Sequence, residues 1–222
     1  MITYPFGPAI YSVDISGEFH EFLLDGLEDC RKAQDATRKL VGNIDQQRYT
    51  LYDPKRFTGF IHQHLVRYLQ ERNDRHNSVK EICFVNPTTW KEGSVLEYTL
   101  GVGPWVNFQK KGEFNPLHNH SGVISAVVFI KIPTDLDEER RNSNYTSKAA
   151  GCLEFVHNNQ HIVVKPREAM MYLFPSYLHH VVYPYTSDVE RVSMSFNIHD
   201  VTINGIPLPP HDNILFYEDQ LL

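Results

Sequence analysis

Along the first third of the chain, apolar positions recur at helical spacing. Between residue 18 and about residue 41, Phe19, Phe22, Leu23, Leu27 and Leu40 stand among charged residues, which predicts a loosely amphipathic helix. A sharper stripe of Phe57, Phe60, Ile61, Leu65, Tyr68 and Leu69 predicts a second helix from Pro54 to about Glu71. Pro54 suits its first turn, where no backbone donor is needed. From Val79 the texture changes to short β-branched and aromatic runs broken by Gly, Pro and Asn. Strands are predicted at 81–85, 95–100, 105–109, 123–132, 151–156, 162–165, 169–174, 180–183 and 191–197. Short strands preceded by helices imply a mainly β, two-sheet antiparallel core with the N-terminal helices on one outer face.

Asn158-Asn159, between two apolar runs, reads as a tight hairpin. Residues 134–148 are too polar for a core strand and read as a mobile surface loop that could close over a site. At 222 residues the chain suits a single domain. Residues 1–78 read as its helical support, 79–200 as its β core, and the Pro-rich 201–222 as an extension.

Composition narrows the partners. A formal net charge of −6 sets up no overall attraction for nucleic acid or an anionic membrane. No apolar run reaches the roughly 20 residues that span a bilayer. The opening Met1-Ile-Thr-Tyr-Pro-Phe-Gly-Pro8 lacks the basic and apolar regions of a secretory signal. Cys30, Cys83 and Cys152 are odd in number and far apart, which suits a reducing cytoplasm rather than a disulfide framework. Oligomeric state stays open, a homodimer included.

Twelve histidines raise the question of which can meet. His62 and His64 lie two apart on a helix and point to nearly opposite sides. His157 and His161 flank the hairpin and read as surface residues, while His20, His76, His199 and His211 show no partner pattern. His118-Asn119-His120 differs, because it leads into a strand, and in extended chain residues two apart face the same way. Sixty residues after His120, His179-His180 enters another short strand, followed by Arg191-Val-Ser193-Met-Ser195-Phe-Asn197. In that last strand Arg191, Ser193, Ser195 and Asn197 share one face, and Val192, Met194 and Phe196 the other. Pointed inward, Arg191 would need an anionic partner, since a buried unpaired guanidinium costs several kcal/mol. Turned round, the strand would leave Arg191 in solvent.

The ordered set of His-x-His, a distant His and Arg-x-Ser resembles the iron(II)/2-oxoglutarate oxygenases. It is similar to a branch of that family common in marine bacteria and their phages. The motifs that carry the resemblance are Trp105-Val-Asn107, Asn115-Pro-Leu-His118-Asn-His120, Ser121-Gly122-Val123, Phe174-Pro-Ser176 with His180-Val-Val-Tyr-Pro184, and Arg191-Val-Ser193-Met-Ser195-Phe-Asn197. Together they cover about residues 95–200. The resemblance implies a double-stranded β-helix (jelly-roll, cupin-like) core. It also implies Fe(II) held by His118 and His180, and 2-oxoglutarate gripped at its far carboxylate by Arg191 and Ser193. His180 is chosen over His179 because the family pattern runs His-x-Val-x-Pro, which fits His180-Val181-Val182-Tyr183-Pro184, with His179 then facing the other way.

The usual second iron ligand is a carboxylate, and here the position holds His120. His120 can complete a three-histidine set, or stand behind the ligands, or yield to an acid from elsewhere such as Glu154. Asn107 is a candidate for hydrogen bonding to 2-oxoglutarate or substrate, and Tyr172 for the cosubstrate pocket. The implied reaction couples O2-driven decarboxylation of 2-oxoglutarate, giving succinate and CO2, to hydroxylation of an unidentified small-molecule or protein substrate. Two rivals remain at this stage: a three-histidine cupin-type dioxygenase that needs no 2-oxoglutarate, and a non-catalytic jelly-roll binding protein.

Overall fold

The computed structural model describes residues 1–3, 5, 7–78, 92–143 and 148–208, with the side chains of 72–78 outside that description. The predicted strand at 81–85 and the end of the Pro-rich tail lie outside the described residues.

The N-terminal part contributes more than helices. It forms β1 (Ile2–Thr3), β2 (Ile10–Asp14), α1 (Glu18–Asp25), α2 (Leu27–Lys32), a 3-10 turn at Thr37–Lys39, β3 (Gln47–Tyr49) and α3 (Pro54–Ser78). The single helix expected over 18–41 is therefore broken. At Gly26 a side chain is excluded, since a Cβ there would fall 2.3 Å from Cε1 of Tyr52. The Tyr52 hydroxyl donates to the Leu23 carbonyl at 2.6 Å, pinning the break. Ala33 is already extended and closes α2.

The rest of the chain forms β4 (Leu96–Leu100), β5 (Trp105–Gln109), β6 (Asn115–His118), β7 (Ile124–Lys131), α4 (Asp135–Asn142), β8 (Leu153–His157), β9 (Gln160–Val164), β10 (Met170–Pro175), β11 (His179–Val182), β12 (Arg191–Ile203) and β13 (Ile206–Pro207). Among the described residues, the larger sheet runs β1-β2-β10-β7-β12-β5-β3, with β4 and β13 also paired to β12. The smaller sheet runs β6-β11-β8-β9. Every pairing is antiparallel. Two facing antiparallel sheets with crossovers between them make the jelly roll.

Alternation along β12 decides what faces what. Val192, Met194 and Phe196 turn to the helix side, where they share one apolar core with Phe57, Ile61 and Leu65 of α3. The Phe57 and Phe196 rings meet edge to face at 5.4 Å. The opposite face looks into the space between the sheets, where Phe129, Leu153, Phe155, Phe174 and Leu178 form a second core. Arg191 and Ser193 are therefore inside the roll, and both are buried.

Asn158 and Asn159 both take positive φ, 48° and 59°, as a two-residue hairpin turn requires. The 134–148 stretch departs from the expected mobile loop. Its first half is helix α4, anchored by fully buried Leu136 and by Arg140, which donates to the Ala150 carbonyl at 2.7 Å and pairs with Asp137. Its lone apolar residue and its dense charge hide the helix from a hydrophobicity pattern.

Candidate active site

His118 is the last residue of β6 and His180 the second of β11, and the two are direct register partners. Their rings lie 4.2 Å apart. His120 lies beyond the end of β6, where its backbone N–H donates to the Ser176 carbonyl at 2.9 Å. That turn brings its ring to 4.8 Å from His118 and 5.0 Å from His180. The candidate ligand atoms of the three all lie within 4.8 Å of one another.

Electrostatics make these rings ligands rather than cations. Burial lowers the His118 pKa, and burial with the His118 charge nearby takes His120 down to about 4. Burial, then the other two rings, pushes His180 well below its ordinary value. All three are thus neutral near pH 7. His118 Nδ1 lies 2.7 Å from the Pro116 carbonyl and His180 Nδ1 lies 3.0 Å from that of Leu178. A carbonyl only accepts, so both Nδ1 atoms carry the proton and both Nε2 lone pairs are free. This donor set fits a divalent first-row metal such as Fe(II).

His179 is exposed on the other side of β11. Glu154 is no source of a missing carboxylate. It lies on the face of β8 opposite Leu153 and Phe155, where it accepts from His161 Nδ1 at 2.5 Å and from the Tyr183 hydroxyl. Burial and that hydrogen bond to Glu154 push Tyr183 up to about 12, the hydrogen bond being the larger cause.

The same cavity that the three rings line also exposes Asn107, Arg191 and Ser193. Arg191 is 1% exposed. Burial lowers its pKa to about 10, still far above neutrality, so it remains charged. Its Nη1 donates to Gln109 Oε1 at 2.7 Å and lies 3.5 Å from Ser193 Oγ. Among the described residues its Nε and Nη2 have no hydrogen-bond partner, and its guanidinium sits over the Phe129 ring at 5.0 Å. Among the described residues no carboxylate forms an ion pair with it. A buried cation with two idle donors beside a cluster of metal-binding rings fits the carboxylate of a metal-chelating acid.

Asn107 pairs with Ser193 in the β5–β12 register, and its Oδ1 accepts from Gln47 Nε2 at 2.8 Å. Tyr172 stays outside the cavity lining. It lies on β10, with β7 between it and β12, and its ring packs against Phe129 at 5.8 Å. Arg191 packs on the same Phe129 ring. Sequence reasoning missed Gln109 and Gln47. The first was within reach, because Trp105, Asn107 and Gln109 alternate onto one face of β5. Gln47 lies in a three-residue strand too short to show a period.

Residues 103–197 match the family model described as "Putative 2OG-Fe(II) oxygenase". Among curated proteins, no sequence matches the chain. A non-heme α-ketoglutarate-dependent carbocyclase, SnoK from nogalamycin biosynthesis, superposes with a TM-score of 0.51 at 10% identity, covering 94% of this chain and 85% of its own. A prolyl-4-hydroxylase from Pseudomonas putida gives 0.48 at 13% identity, covering 86% and 91%. A prolyl hydroxylase from Trichoplax adhaerens, in complex with a peptide of hypoxia inducible factor, gives 0.47 at 14% identity, covering 86% and 83%.

Proposed function

We propose, on the match of residues 103–197 to the 2OG-Fe(II) oxygenase family, that His118, His120 and His180 hold the iron while Arg191 and Ser193 bind the far carboxylate of 2-oxoglutarate. The chain is an oxidoreductase whose family uses Fe(II), 2-oxoglutarate and O2. Bound together, these supply decarboxylation of the keto acid to succinate and CO2 with oxidation of a prime substrate.

The observation that carries the reading is the buried guanidinium, without a carboxylate partner among the described residues, beside three neutral imidazoles. A three-histidine dioxygenase working without 2-oxoglutarate has no use for it. An uncompensated buried charge costs several kcal/mol unless a ligand repays it. In this reading Arg191 fixes one end of the cosubstrate, and the neutral rings orient the metal that binds the other. Asn107 lines the same cavity, and with its Oδ1 engaged by Gln47 its Nδ2 donors would serve a ligand held there. Trp105, whose ring lies 6.1 Å from that of His120, forms the wall there and helps exclude water.

The prime substrate is a small molecule or a protein. The acidic net charge disfavours nucleic acid. Among the described residues no helix is long and apolar enough to cross a membrane. Cys30 and Cys152 are free and buried, which suits work in a reducing cytoplasm.

The test is turnover of 2-oxoglutarate by aerobic protein loaded with Fe(II). Slow formation of succinate without added substrate is expected, with kcat/KM at least about a hundredfold lower in Arg191→Ala. Absence of succinate from iron-loaded wild type would contradict it.

A further inference from the structure

The partner that the fold gives Arg191 is a neutral amide. Gln109 is 0% exposed and is its register neighbour across the β5–β12 pair. Both ends of its side chain are committed. Nε2 donates to the Glu113 carbonyl at 2.6 Å and reaches that of Tyr183 at 3.3 Å, while Oε1 accepts from Arg191 Nη1. The amide cannot be turned over, since that would set N–H against N–H and carbonyl against carbonyl. Behind it, the Tyr185 hydroxyl donates to the Gln109 carbonyl and accepts from the Arg191 N–H at 3.2 Å, tying the two backbones together.

The nearby acids are kept elsewhere. Glu190, next in sequence to Arg191, is engaged by Arg31, with Nη1 to Oε2 at 3.1 Å. Glu113 turns its carboxylate to the backbone N–H groups of Asp45 and Lys110. Arg191 is thus held in place, with no ion pair among the described residues.

We infer that Gln109 is a positioning residue that fixes the Arg191 guanidinium through a neutral amide and so reserves its charge for the carboxylate of an incoming ligand. The inference rests on the assignment of Arg191 to the far carboxylate of 2-oxoglutarate. A glutamate of the same length at position 109 would meet Nη1 and form an internal ion pair, which the ligand would then have to displace. An apolar side chain would leave the charge available but its holder gone.

The experiment measures 2-oxoglutarate binding by calorimetry on metal-loaded protein under exclusion of O2, alongside KM and kcat in air. In Gln109→Glu the Kd and KM are expected to rise at least about tenfold, with kcat at saturating 2-oxoglutarate within about twofold of wild type. Gln109→Met is expected to weaken binding by a smaller factor. Equal weakening by the two variants, or wild-type binding by Gln109→Glu, would overturn the inference. Should Gln109→Glu fail to fold, Gln109→Met still decides: a raised KM with unchanged kcat supports it, and a reduced kcat with unchanged KM contradicts it. Arg191→Ala separates the two layers. If it binds as wild type, the carboxylate assignment itself falls. If it loses binding while Gln109→Glu keeps it, the role of Gln109 alone falls.

Discussion

The imidazoles of His118 and His120 stand 4.8 Å apart with their planes at 88°, although one residue separates them in the chain. Strand alternation is not the whole cause, because β6 ends at His118. The chain turns there, and the hydrogen bond from the His120 N–H to Ser176 carries the second ring back over the first. The pair is nearly perpendicular, and its candidate ligand atoms lie within 4.8 Å of each other and of that of His180.

If His120 is a ligand, removing its ring must cost as much metal affinity as removing either of the others. His118→Ala, His120→Ala and His180→Ala are each expected to weaken binding at least about tenfold in an anaerobic competition titration. His179→Ala, on the exposed side of β11, should leave it unchanged. Full metal affinity in His120→Ala would remove His120 from the set.

The α3 helix carries the large sheet, so its contact should matter for stability and little for the metal. Phe57 is buried against Phe196, and Phe57→Ala is expected to cost about 3 kcal/mol. Chemical denaturation should show that loss, with the metal content of the folded protein unchanged.

Much of this was legible in the chain, and the exceptions have physical reasons. The alternation Arg191-Val192-Ser193-Met194 is strict, and the bulky apolar set could only belong against a helix once the polar set had a cavity to fill. The hairpin at Asn158-Asn159 was readable because few residues besides Asn and Gly tolerate positive φ twice in a row. By contrast β1, β2 and β3 escaped notice, being two, five and three residues long with their pairing partners distant in sequence. Gln109 was hidden for another reason: a buried amide acquires its meaning only from the group across the sheet.

Helix α4, in the first half of the stretch expected to be a loop at 134–148, is docked, and its docking has a pH signature. Burial raises the pKa of Glu139, but hydrogen bonds from the Ser187 hydroxyl and the N–H groups of Thr186 and Ser187 outweigh it and hold the carboxyl below its ordinary value. A folded pKa below the unfolded one means stability present above the unfolded value and lost as pH falls through the folded one. Glu139→Gln is therefore expected to be roughly 1 kcal/mol less stable than wild type at pH 7, after discounting for partial exposure. That gap should close as pH falls from about 5 towards 3. Denaturation curves across this range would show it, and a gap independent of pH would contradict it.

The central claim is that one metal ion and one keto acid meet between these three rings and Arg191. Anaerobic titration of the Fe(II)-loaded protein with 2-oxoglutarate tests it directly, because chelation of iron(II) by a keto acid produces a weak visible charge-transfer band. The account predicts a band that saturates at one equivalent in wild type and is lost in Arg191→Ala at the same concentration. A wild-type protein that holds Fe(II) yet shows no band on adding 2-oxoglutarate would contradict it.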